Sequence, residues 1–120
     1  MRRAKHTALR DVASMLRSFD YARHTALHQT TPNAAEIQRL GPAAREWERQ
    51  VRAAFLQAYG KVAVEGGLYA DPAAFEAAAP LLDLLELEKA FYELRYEMDN
   101  RPDWVGVPLA GIAALAGVPD

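Results

Sequence analysis

Residues Leu81 to Asn100 read LLDLLELEKAFYELRYEMDN. At about 100° per residue, Leu84, Leu87, Phe91, Leu94 and Met98 fall within roughly 80° of one another. That spacing predicts one long helix with a core stripe. Glu86, Lys89, Glu93, Glu97 and Asn100 gather on the opposite side and read as a solvated face. A third strip lies between the two: Glu88, Tyr92, Arg95, Tyr96 and Asp99. Burying one side of a helix does not require two tyrosines, an arginine and two carboxylates on a shared strip. The strip therefore reads either as a half-buried polar network or as a ligand-facing wall.

Upstream of this helix, Pro80 starts it or bends into it. Asp71-Pro72 is a cap followed by a first-turn proline, which predicts a short helix to Ala79. Gly66-Gly67 is a break. A helix is expected from Pro42 to about Tyr59 or Val64, with Trp47, Val51, Ala54, Phe55, Ala58 and Val62 as its stripe. Arg45, Glu46, Glu48, Arg49 and Arg52 read as its solvated, ion-paired face. Residues 29–41, with Thr30, Thr31, Pro32, Asn33 and Gly41, have the composition of a loop, with room for a helical turn over 34–40. Residues 1–6 read as a basic, frayed end. Thr7 is a candidate cap for a first helix to about His28, with Leu9, Val12, Ala13, Leu16 and Phe19 buried. Arg10, Ser14, Arg17 and Tyr21 share another face of it. Downstream, the long helix must end before Pro102. Pro108 opens a last short helix to about Ala116, which Gly117 and Pro119 stop.

The chain has 120 residues, suited to a single domain over 1–120 with a moderate core. Alanine is abundant and β-branched residues are scarce, so the expected fold is all-α: a compact bundle of about three main helices plus short ones. The formal charge is -2, so the basic footprint of a nucleic-acid binder is missing overall. There is no cysteine, which excludes disulfides and thiolate chemistry. No apolar run reaches the ~20 residues that span a bilayer, and no secretory signal pattern follows the basic start. The expected location is the cytoplasm, with no membrane partner.

Complete catalytic sets are missing from the sequence. Gly66-Gly67 lacks the spacing and lysine of a phosphate loop. His24 and His28 are spaced to share a metal, but His28 is equally explained as a helix-end cation, and no metal site is assigned. Two candidates remain. The first is the strip Glu88, Tyr92, Arg95, Tyr96, whose arginine fork, carboxylates and rings suit a sugar's hydroxyls and flat apolar faces. The second is Asp20, a poor helix former placed between Phe19 and Tyr21, which needs a partner such as Arg17 or Arg95.

Two stretches resemble the maltokinase family, including the kinase part of trehalose synthase fusions. Leu9 to Ala22, LRDVASMLRSFDYA, is similar to that family's LRDVAGMLRSFDYAA run, with Ser14 in place of the usual glycine. Leu87 to Glu97, LEKAFYELRYE, continued by Asn100 to Leu109, NRPDWVGVPL, is similar to its LEKALYELRYE…NRPDWV…PL ending. Together they cover nearly half the chain, while residues 29–80 match only in character. The resemblance implies the helical, sugar-holding C-lobe of an aminoglycoside-phosphotransferase-like fold that phosphorylates maltose with ATP and Mg²⁺. It places Glu88, Tyr92, Arg95 and Tyr96 on the sugar side, with Arg17, Asp20 and Tyr21 in support. The family's ATP- and metal-binding motifs lie upstream of the first match. The chain itself is therefore expected to hold no cofactor and to be inactive without a complementary kinase part. The competing expectation is a non-catalytic helical interaction module that forms a homo-oligomer in isolation.

Overall fold

A computed structural model describes residues 2–30 and 33–118, with side chains over 7–29 and 33–118. Three long helices, α1 (Arg2–Thr30), α2 (Ala34–Glu65) and α4 (Ala79–Asn100), carry the bundle. Two shorter ones, α3 (Pro72–Glu76) and α5 (Gly106–Leu115), and a 3-10 turn at Pro102–Trp104 complete it. No strand occurs among the described residues. The all-α bundle of three main helices is the architecture.

Several boundaries differ from expectation. Thr7 is not a cap, because α1 reaches back to Arg2 through Arg, Ala and Lys, all good helix formers. Most of the expected loop over 29–41 is helix. The cap is Asn33, in extended backbone, whose Oδ1 accepts the Glu36 N–H at 2.9 Å. Pro42 lies inside α2 rather than at its start, at the cost of one backbone hydrogen bond. Thr31, Pro32 and Pro119 lie outside the described residues. Asp71 caps α3 as expected, accepting from the Ala74 N–H at 2.8 Å. That helix ends at Glu76 rather than Ala79. α4 stops at Asn100, and Arg101, which precedes Pro102, has left the helical region at φ -141° and ψ 73°. Gly117, at φ 78°, follows the end of α5, a conformation that favours glycine.

α1 sits in the middle. It runs antiparallel to α2, with Arg23 bonded to Glu48 and the Leu16 carbonyl facing Arg52. It runs parallel to α4, since Arg10, Arg17 and Tyr21 meet Glu88, Glu93 and Glu97 in that order. The expected α1 stripe forms the core: Leu9, Val12, Ala13 and Leu16 pack on Leu82 and Leu85, with Phe19, Phe55, Leu56, Tyr59, Phe75 and Ala78 around them. Aromatic contacts run from Phe19 through Phe55 and Tyr59 to Phe75 and Tyr69, with centroids 5.2 to 6.2 Å apart.

Two predicted faces are corrected. On α2, Trp47, Ala54, Ala58 and Val62 are exposed, and Phe55, Leu56, Tyr59, Gly60 and Ala63 turn inward. Gly60 decides this face. A Cβ there would lie 2.8 Å from Phe75 Cδ2, so the missing side chain admits the α3 ring. On α4 the reading is inverted. Leu84, Phe91 and Met98 are exposed, Leu87 and Leu94 are half-buried, and the expected solvated face supplies Glu86 and Glu97 to the interior. Leu82, Leu85 and Ala90 make up the apolar part of the buried side. The physical reason lies on the neighbouring helices, which present cations to that side.

Candidate functional site between α1 and α4

The core of the α1–α4 contact is a charged seam. Arg17 is 2% exposed. Its Nη1 donates to Asp20 Oδ2 at 2.6 Å and its Nε to Glu93 Oε1 at 2.8 Å. Arg23 bridges Asp20 Oδ1 at 2.8 Å and Glu48 Oε1 at 2.7 Å. Arg52 reaches Glu86 at 2.6 Å. Further along α4, Glu97 accepts from the Tyr21 hydroxyl at 2.9 Å and from the Arg101 fork at 2.9 and 2.7 Å. Tyr21 stacks on Trp104 at 6.2 Å, and the Arg101 guanidinium sits over the Trp104 ring, 4.5 Å from its centroid. α5 closes the seam at Gly111, where a Cβ would lie 2.4 Å from Arg17 Nη1.

Asp20 therefore finds Arg17, one of the partners its position called for, and Arg23 in place of Arg95. Sequence reasoning placed Arg17, Asp20 and Tyr21 together but missed Glu48, Glu86, Glu93, Glu97, Arg23 and Arg101. One signal was present. Arg17 and Tyr21 are four apart on α1, and Glu93 and Glu97 are four apart on α4, so two parallel helices match donor for acceptor.

The environment sets the ionisation of these groups. Burial raises the Asp20 carboxyl, but Arg17 and Arg23 outweigh it and hold the group below its usual value. The Arg101 hydrogen bond lowers Glu97 against the opposing effect of burial. Burial lowers His24, with Arg23 acting in the same direction. Burial raises Glu93 and Glu48 despite their arginine partners. Burial and the Glu97 bond raise the Tyr21 phenol.

For the depressed groups the linkage has one sign. Their stability contribution is full above the unfolded pKa and is lost as pH falls. His24 therefore weakens the fold below about pH 6.5, and Asp20 and Glu97 below about pH 4, while Glu93 and Glu48 act in the opposite direction. The melting temperature should fall as the pH drops from ~7.5 to ~5.5, the window of the His24 shift. His24→Gln should remove that fall in a pH series of thermal melts, and an unchanged fall would refute this assignment.

The predicted sugar strip lies on the flank of this seam. Glu88 is ion-paired with Arg10, and Lys89 Nζ sits 4.8 Å from the Tyr92 ring centroid. With Ser14 and Leu85, these residues line an open groove of about 370 Å³. Glu88 and Tyr92 are thus brought together there, joined by Arg10, Ser14 and Lys89, which were not singled out as ligands. Tyr96 and Arg95 are exposed further along α4 and do not line the groove. Asp99 is exposed as well. The strip is not a half-buried network.

A larger cleft of about 660 Å³ lies between α2 and α3, lined by Leu9, Leu56, Val64, Phe75 and Leu82. Its lining is mostly apolar and also includes Gln57, Lys61, Glu65 and Glu76. The groove between α1 and α4 is the smaller and more polar of the two. The His24 and His28 rings stack at 6.1 Å, and no cluster of three ligating side chains occurs among the described residues.

Fold and site together define an all-helical bundle with an ionic interior and an open polar groove. No family model matches the chain, and no solved structure matches it. No helix among the described residues is long and apolar enough to cross a membrane.

Proposed function

We propose that this chain is the substrate-side C-terminal subdomain of a maltokinase-like sugar kinase, and that the groove between α1 and α4 holds part of the sugar. The observation that carries this reading is the lining of the groove. It combines an exposed phenol ring with a carboxylate, a guanidinium, a hydroxyl and an ammonium. Sugars are bound by such sets, since their hydroxyls need both donors and acceptors and their ring faces need an apolar wall. Tyr92 would supply the wall, Glu88 would accept hydroxyl hydrogens, and Arg10, Ser14 and Lys89 would complete the polar set. Arg95 and Tyr96 extend the same surface. The motif resemblance over α1 and α4 supports the same assignment. ATP and Mg²⁺ would be held by a complementary kinase part, so the chain alone would transfer no phosphate.

The test is an NMR titration of the intact chain with maltose. Shifts should concentrate at Ser14, Lys89 and Tyr92, and Tyr92→Ala should weaken binding by up to ~10-fold, the scale of losing one aromatic contact of about 0.5–1.5 kcal/mol. Maltose that moves no groove signal at any concentration would end this reading. A second reading, a non-catalytic helical interaction module, is favoured by the apolar row on the outer face of α4. Under it, maltose leaves those signals unmoved.

A further inference from the structure

Leu84, Phe91 and Met98 stand seven residues apart on α4 and are 59%, 52% and 61% exposed. On a helix of 3.6 residues per turn they form a nearly straight row ~21 Å long. The row lies on the side of α4 opposite Leu82, Leu85, Glu86, Glu93 and Glu97, which meet the bundle. Half-buried Leu87 and Leu94 border it on one side. Two charged residues, Glu88 and Arg95, border it on the other. Arg95 makes no ion pair among the described residues. Glu88 uses Oε1 toward Arg10, and its Oε2 has no partner among them.

We propose that this row is a self-association surface on which a second copy of the chain packs antiparallel, α4 against α4. The register is self-complementary. A twofold axis at Phe91 sets Phe91 against Phe91 of the second copy and Leu84 against its Met98. The same axis brings Glu88 beside Arg95 of the second copy, and Arg95 beside its Glu88, within one residue of the same height. A contact made twice by one surface is the form a twofold dimer requires. An antiparallel helix pair with opposite charges flanking an apolar row satisfies both the apolar and the charged residues. A different protein would have no reason to match this internal pairing. The inference does not rest on the sugar reading: Leu84, Phe91 and Met98 lie outside the groove, and only Glu88 and Arg95 are shared between the border of the row and the proposed sugar surface.

Sedimentation of the intact chain across a concentration series tests it. The wild type should form a dimer. Phe91→Glu should sediment as a monomer with unchanged helicity by circular dichroism, since Phe91 faces away from the core. Arg95→Glu and Glu88→Arg each place like charges across the axis, and each should weaken the dimer ~10-fold. Mixed together, the two variants pair Glu with Arg at both positions and should recover a mixed dimer. A wild type that stays monomeric overturns the proposal, whether or not some other protein binds the row. So does a Phe91→Glu dimer, and so does a mixture that fails to associate.

Discussion

Arg17→Ala is expected to cost about 3–5 kcal/mol, the scale for removing one partner of a buried ion pair. The change leaves Asp20 and Glu93 facing each other inside the bundle without the cation that both contact. A domain of this size has about 5–15 kcal/mol to lose, so the variant should be barely folded at room temperature. Urea unfolding followed by circular dichroism reads the loss directly. The cost belongs mainly to Glu93, which loses its hydrogen-bonded cation, while Asp20 keeps Arg23. Replacing Arg17 and Glu93 together by Met and Leu should recover part of it, because Asp20 keeps Arg23 and apolar replacement of both partners of a buried ion pair is often neutral or better. A small effect of Arg17→Ala alone, under about 1 kcal/mol, would place the seam in water.

Leu16→Ala is expected to cost about 2–5 kcal/mol, from lost transfer energy and an unfilled cavity. Leu16 is among the most fully buried side chains and belongs to the cluster that joins α1 to α4. The matching control is Leu84→Ala on α4. Sequence periodicity assigns Leu84 to the core, whereas the structure turns it outward, so the loss should stay within about 0.5 kcal/mol. Comparing the two urea midpoints in a monomeric background such as Phe91→Glu removes any contribution from self-association. Equal losses at the two positions would mean that α4 packs by its other face.

The α1 stripe was legible because apolar residues fill that face from Leu9 to Leu16, and the one acid on it, Asp20, comes a turn later. Leu9, Val12, Ala13 and Leu16 need no partner beyond one another and their neighbours. The α4 face was not legible for the opposite reason. A row of five large apolar residues outweighs three glutamates in any count of hydrophobic periodicity. That count cannot know that Arg17, Arg52, Arg101 and the Tyr21 hydroxyl will meet Glu93, Glu86 and Glu97. Of the candidate site residues, Arg17, Asp20 and Tyr21 fell together because they lie on one helix at short spacing. Glu88 and Tyr92 are in the groove with Arg10, which comes from a helix 78 residues away in the chain. No local pattern reports such a pairing.

By itself the sequence determined the helical class, the central buried face of α1, the break at Gly66-Gly67, the cap at Asp71 and the stop before Pro102. These depend on backbone preference and on the spacing of apolar residues along one segment. Only the tertiary structure decided which side of α4 is inside. A carboxylate is solvated on a lone helix and becomes interior when a partner arrives from another helix, as Arg52 meets Glu86 and the Tyr21 hydroxyl meets Glu97. That choice buried Glu86 and Glu97 and left Leu84, Phe91 and Met98 facing outward.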